Sequence, residues 1–223
     1  LAGRRVLITA GPTREPLDAV RVITNPSTGK MGYALAAAAA RRGALVTLVT
    51  GPTALATPPG AARIEVVTAQ QMWHEVESRW EDQDVIVFAA AVSDFRPAEA
   101  SPHKIKKGEA AATVALEPTV DIAAQVGAAC RSRARGQRPV LIGFAAESQN
   151  LEAYARAKLE AKGFALIVAN EIGRPGTGFG ADTSHVLLLA RDGAAEPLGL
   201  VAKTALAEVI LDRAVQALAT PTH

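Results

Sequence analysis

The 223-residue sequence predicts an α/β fold, a mainly parallel sheet with helices on both faces, from three observations. Near-continuous apolar, β-branched runs at 5–10, 45–50 and 84–90 read as strands buried on both sides. Helix-prone stretches separate them, so strand, loop, helix and strand form a right-handed βαβ unit. The loops after the strands, 11–25, 51–59 and 91–107, are long and polar or proline-rich, which is more loop than a connection needs. Ligands of such sheets bind beyond the carboxyl ends of the strands, so these loops are expected to converge on one crevice.

The elements follow in order. After the strand at 5–10 and its loop, the alanine-rich stretch 33–42 is a helix, and 45–50 is the second strand. A third strand at 64–67 leads to Thr68, which can cap a helix over 69–81, and 84–90 is the fourth strand. The stretch from Ala91 has little core-forming character and is expected to leave the sheet as a flap, about 97–112, returning through 113–116. Helix 120–130, strand 140–145, helix 151–162 and strand 165–170 resume the alternation, and a Gly-rich turn spans 173–180. Asp192-Gly193 between the runs 184–190 and 196–201 signals a β-hairpin, and 203–217 is the closing helix. The expectation is one Rossmann-like domain over 1–223, with a flap and a C-terminal β-hairpin that either extends the sheet or serves association.

Composition narrows the class of function. With 49% hydrophobic residues the chain can bury one substantial core, and a net charge of +2 makes no general case for nucleic acid. No apolar run approaches a membrane span and no leader precedes the first strand, so a cytoplasmic protein without membrane partners is expected. The single cysteine, Cys130, falls on an apolar helix face and reads as buried and inert. Leu1 stands where an initiator Met would, so the expectation is a processed or excised piece of a longer polypeptide.

The organising stretch is 21–32, Arg-Val-Ile-Thr-Asn-Pro-Ser-Thr-Gly-Lys-Met-Gly. A polar loop feeds a helix N-terminus there, with Ser27 or Thr28 as the cap, and the small residues Ser27, Thr28, Gly29 and Gly32 let phosphates approach the backbone. It reads either as an anion seat or as an ordinary helix cap. A P-loop is excluded because Met31 follows Lys30 and the preceding glycine is missing. A dinucleotide fingerprint is excluded because the first strand runs into Gly11-Pro12-Thr13 and the second ends in Thr50-Gly51-Pro52 without an acid for a ribose.

Candidate chemistry sits around that loop. Asp94, just past the fourth strand, is placed to hold Mg²⁺ beside a nucleotide or accept from a ribose; its bland roles are a turn or a partner for Arg96. Lys104, Lys106 and Lys107 are a solvated loop or a mobile arm that closes on a polyphosphate. Lys158 and Lys162 share a helix face, where an anionic ligand would offset their repulsion, unless both are simply hydrated. Phe144 ends a strand and either stacks on a base or plugs the core. The histidines are scattered, and neither a serine elbow nor a Cys-His pair occurs, so position and positive charge are what the chain offers.

Together the stretches Leu7-Ile8-Thr9-Ala10-Gly11-Pro12-Thr13-Arg14-Glu15, Arg21 to Asn25, Ser27 to Gly32, Ala90-Ala91-Val92-Ser93-Asp94-Phe95, Lys104-Ile105-Lys106-Lys107, Gly143-Phe144-Ala145-Ala146-Glu147 and Ala169-Asn170 resemble the bacterial, CTP-dependent phosphopantothenate–cysteine ligases. Those enzymes are usually the C-terminal half of a bifunctional coenzyme A biosynthesis protein whose N-terminal half is a flavin-dependent decarboxylase. The resemblance implies a two-step ligase that uses CTP, 4′-phosphopantothenate and L-cysteine, with Mg²⁺ or Mn²⁺ as cofactor and a homodimeric assembly. It implies that Asn25, Arg21 and Lys104 are catalytic, and that Lys104, Asp94, Phe144, Lys158, Lys162 and Val120-Asp121-Ile122-Ala123 contact CTP. Ser27, Gly29, Ala90 and Ala91 complete the expected nucleotide site, with Asp94 as the metal ligand. The family commonly has proline where this chain has Val120, its own proline being Pro118. Rival readings are a nicotinamide-dependent reductase and a non-catalytic nucleotide-binding module.

Overall fold

A computed structural model describes residues 1–106, 113–147, 149–171, 177–178 and 180–219, without the side chain of Arg135. The expected Lys107, most of the tip of the expected flap and most of the 173–180 turn lie outside the described residues.

The first half-sheet is β1 (Arg5–Ala10), β4 (Leu45–Thr50) and β5 (Ala61–Glu65), with helix α1 (Lys30–Arg41) between β1 and β4. Helix α2 (Ala69–Glu77) leads to β6 (Val85–Phe88), α3 (Ile122–Arg131) to β9 (Val140–Glu147), and α4 (Leu151–Lys162) to β10 (Leu166–Glu171). The hairpin β11 (Thr183–Ala190) and β12 (Ala195–Ala202) and the helix α5 (Lys203–Ala219) complete the described chain. The strands form one eight-stranded sheet in the order β12-β11-β10-β9-β6-β1-β4-β5. All neighbours are parallel except at β11, which pairs antiparallel with both β10 and β12. This is a Rossmann-like order, with the chain leaving β1 in one direction and returning on its other side to β6.

The strand alternation sorts the core into two layers. Val6, Ile8 and Ala10 point with Val46, Leu48, Val85 and Val87 toward α1 and α5. Leu7, Val49, Ile86, Leu141 and Ile167 point the other way, toward α2, α3 and α4. Cys130 lies in the second layer, buried as expected, and burial pushes its thiol pKa up.

Several bounds differ from the sequence reading. The third strand begins earlier, at Ala61, because its register is dictated by pairing with β4 from Val46↔Ala61 to Thr50↔Glu65. Thr68 does cap α2, in a full capping box with Gln71, but the helix stops at Glu77 and a 3₁₀ turn, Trp80–Asp82, carries the buried Trp80 into the core. Helix α1 begins at Lys30, and neither Ser27 nor Thr28 caps it: Gly29 is the N-cap, at φ 79°, with no side-chain cap bond. The C-terminal hairpin forms as expected and extends the sheet.

Two small hairpins were not foreseen. Within the first loop, β2 (Arg14–Pro16) pairs with β3 (Val22–Thr24). At the base of the expected flap, β7 (Phe95–Pro97) pairs with β8 (Leu116–Pro118), so the return strand runs later than 113–116. Strands of three residues carry almost no periodic signal and persist through their neighbours.

Candidate active site

A cavity of about 650 Å³ opens at the carboxyl ends of β1, β6, β9 and β10, where the strand order reverses. Three segments build one side of it. The stretch after β1 and the stretch after β6 run together, with Ala91 N–H donating to the Gly11 carbonyl at 2.9 Å and Thr13 N–H to that of Ala91 at 3.3 Å. Asn25, just beyond β3, ties the third segment to them: its Nδ2 donates to the carbonyls of Val92 at 3.0 Å and Ala91 at 3.4 Å. Asn25, Ser27, Gly29, Ala90 and Ala91 therefore all line the cavity.

Gly29 sits at the N-terminus of α1 in a left-handed conformation that only glycine adopts without strain. Ser27 Oγ accepts from its N–H at 3.3 Å, one residue short of the helix. The first turn of α1 thus has no side-chain cap and faces the cavity through Gly29, Lys30 and Met31, which suits an anion. Gly29 serves as the cap residue, so what the geometry removes from the helix-cap reading is side-chain capping by Ser27 or Thr28.

The opposite wall comes from α3 and α4. Asp121 caps α3 through the Ala124 N–H at 3.0 Å and pairs with Lys162 Nζ at 2.7 Å. Burial opposes ionisation of Asp121, but the Lys162 ammonium and the Ala124 N–H outweigh it and hold the carboxyl below the usual range. Lys158 Nζ donates to the Phe144 carbonyl at 2.9 Å, and burial, reinforced by Lys162, pushes its pKa down. The repulsion between Lys158 and Lys162 is partly offset within the chain, by Asp121 at the start of α3, a partner the sequence reading did not name. Both lysines line the cavity, as do Val120, Asp121, Ile122 and Ala123. Val120, in place of proline, packs against the α2–α3–α4 layer.

Phe144 packs against the α1–α5 layer, as the core alternative had it, and also lines the cavity. Asp94 is exposed at the cavity rim. Arg96 is not its partner, because that guanidinium pairs with Glu117 at 2.7 Å, across β7 and β8. Among the described residues no cluster of three or more metal-ligating side chains occurs. Mg²⁺ does not require one, since it takes one or two carboxylates plus phosphate oxygens, and Asp94 fits that donor set.

Arg21 and Lys104 stand apart from this wall. Neither lines the cavity; Arg21 is bound to Asp18 and to the Ile105 carbonyl, and Lys104 is exposed beside Ile105. The structure brings these two near each other and leaves them outside the pocket that holds the other nominated residues.

The family described as the DNA/pantothenate metabolism flavoprotein C-terminal domain matches residues 1–218. The chain belongs to this family. The coenzyme A biosynthesis bifunctional protein CoaBC of Bacillus subtilis (strain 168) is 46% identical over 204 residues, 91% of this chain and 49% of that protein. CoaBC of Escherichia coli (strain K12) is 45% identical over 213 residues, 94% of this chain and 51% of that protein. A crystal structure of the C-terminal domain of a CoaBC protein superposes with a TM-score of 0.82 at 39% identity, covering 98% of this chain and 97% of that one. The chain spans about half the length of the curated relatives it matches.

The sequence reading did not nominate two cavity lysines, Lys30 and Lys203, or the buried Asp18. Lys30 Nζ bonds to the Gly180 carbonyl at 2.8 Å and to Asp182 at 2.7 Å. Lys203, the first residue of α5, is buried and donates to the Ala181 carbonyl at 2.5 Å. Burial, then Lys30, lowers its pKa. A lysine opening a helix carries no mark of burial in the sequence. Asp18 carried only the general signal of an Asp in a short connection, where its side chain can accept from the backbone two residues on.

Proposed function

We propose that this domain serves coenzyme A biosynthesis as a CTP-dependent ligase joining 4′-phosphopantothenate to L-cysteine. The observation that carries this reading is that Asn25 and, Lys104 apart, every residue the resemblance assigns to the nucleotide site line one cavity. Its volume of about 650 Å³ is that of a small-molecule site. The names of its relatives, coenzyme A biosynthesis bifunctional proteins, point to the same pathway.

In the reaction proposed, the phosphopantothenate carboxylate attacks the α-phosphorus of CTP and pyrophosphate leaves, giving an acyl-cytidylate. The cysteine amine then attacks the acyl carbon, loses a proton, and expels CMP. The chain contributes charge and position rather than a nucleophile of its own. Lys158, Lys162 and the uncapped turn of α1 supply positive potential for a triphosphate, with Lys162 exchanging Asp121 for phosphate oxygens. Asp94 would hold Mg²⁺, which supplies further neutralisation of phosphate charge when bound. Asn25 holds the loops after β1 and β6 together at the reacting end of the site. Arg21 and Lys104 act from outside the cavity wall, Lys104 in the second step.

The natural assembly proposed is a homodimer fused to a flavin-dependent decarboxylase, half the length of the curated relatives being outside this chain. The deciding experiment is pyrophosphate release with CTP, phosphopantothenate, cysteine and Mg²⁺. Release that requires CTP and phosphopantothenate, with amide product only when cysteine is added, is expected. No release with all components present overturns the reading.

A further inference from the structure

The buried carboxylate of Asp18 has no part in the cavity, yet it is among the most heavily bonded side chains of the molecule. It lies in the turn between β2 and β3, with its side chain 0% exposed. One oxygen, Oδ1, serves the turn itself, accepting from the backbone N–H groups of Val20 at 2.8 Å and Arg21 at 2.7 Å. The other, Oδ2, reaches outward. It accepts from Arg21 Nε at 2.9 Å, from Arg21 Nη2 at 2.5 Å, and from the N–H of Ile105, 87 residues away, at 3.1 Å. Arg21 Nη2 closes the circle by donating to the Ile105 carbonyl at 2.9 Å, and Ser101 N–H donates to the Leu17 carbonyl at 3.1 Å. Lys104 sits between these two attachment points.

A turn of this kind needs one acceptor, and an asparagine would supply it. The second oxygen and the negative charge are superfluous to the turn and are spent on Arg21 and the far segment. We infer that Asp18 is a positioning residue, which locks Arg21 and the 101–106 stretch into one unit so that Arg21 and Lys104 are presented at a fixed separation. The inference rests on the ligase reading for what the two cations do, but the clasp itself is a physical claim independent of it.

Asp18→Asn tests it selectively. The variant keeps Oδ1 for the turn and turns an N–H donor toward the donors of Arg21 and Ile105, so the turn persists and the clasp opens. Cys130 is the single cysteine and is buried, so a fluorophore on His103→Cys reports the stretch beside Lys104 alone. The expected results are a fall in probe anisotropy, a kcat about 10- to 100-fold lower, and a KM for CTP changed less than about twofold. In a Lys104→Gln background, Asp18→Asn should lower kcat by less than about twofold more, because the two changes remove one function. Unchanged anisotropy overturns the clasp; a full, additive kcat loss in the Lys104→Gln background overturns the positioning role. Should Asp18→Asn fail to fold, Ile105→Pro removes the far N–H donor to Asp18 and adds a constraint on φ at that position, and it must show the same anisotropy and kcat changes. If the unaltered protein releases no pyrophosphate, the ligase reading falls, while the anisotropy result still decides the clasp.

Discussion

Individual residues divide into those whose chemistry suffices to nominate them and those whose neighbours decide what they do. Asn25, nominated through the family resemblance and not by its chemistry, belongs to the second group, because its amide donors are directed at the Ala91 and Val92 carbonyls. Asn25→Asp would set a carboxylate against those two carbonyl oxygens. Turnover should fall about 100-fold, with CTP affinity by calorimetry changed less than about threefold, and a larger loss of affinity would contradict the separation of roles. Lys158 belongs to the second group as well. Its helix face is legible in the sequence, but its burial is not, and burial makes its charge a cost to the fold. A lysine whose folded pKa lies below 10.5 destabilises while it is charged, and that cost fades as pH rises above the folded value. Lys158→Met should therefore raise stability at pH 7 by about 1 kcal/mol in urea denaturation and weaken CTP binding about tenfold or more.

At the scale of elements, the regular strands and helices follow from local pattern, whereas their fine placement follows from contact. The cap at Thr68 and the hairpin at Asp192-Gly193 were readable because the chemistry that makes them lies within a few residues. The pairs β2–β3 and β7–β8 were not, because three-residue strands depend on whatever they lie against. The packing of α3 on α4 matters most to the site, since it sets Asp121 opposite Lys162. A Cβ on Gly127 of α3 would stand 2.1 Å from the Lys162 carbonyl oxygen, too close for any side chain. Gly127→Ala should force the helices apart, cost about 1–3 kcal/mol in denaturant unfolding, and weaken CTP binding more than a cavity-remote change of equal stability. Equal CTP affinity at a lowered midpoint would show that the helix spacing does not govern the site.

Across the whole molecule the net charge is +2, and the cavity lining carries the carboxylates Asp94, Asp121 and Glu147 beside its lysines. Lys30, Lys158, Lys162 and Lys203 line one cavity, so binding of a polyanion there should weaken as salt rises from 50 to 300 mM, roughly severalfold, while the thermal midpoint moves little. Acid acts through different groups. Arg21, with the N–H groups of Val20, Arg21 and Ile105, holds the Asp18 carboxyl well below its usual 3.8 despite burial, and Lys162 holds Asp121 below the same value. Carboxylates of depressed pKa stabilise fully above the unfolded value and lose that contribution as pH falls through the folded one. The thermal midpoint should therefore fall on acidification from about pH 4 toward pH 2, and Asp18→Asn, lower at pH 7, should show a shallower fall. Parallel acid limbs in the two proteins would mean that Asp18 does not contribute in this way. No helix among the described residues is long and apolar enough to cross a membrane. By itself the sequence determined the class of fold, the succession of strands and helices, and the small set of loops from which a site had to be built. Those depend on periodicity and on caps and turns, which are interactions among near neighbours. Only the tertiary structure decided that Asp121 neutralises Lys162, that Lys203 is buried at the cavity, and that Asp18 joins Arg21 to Ile105. Those are meetings of residues far apart in the chain, fixed by strand order and helix packing, and no local pattern encodes which of them occur.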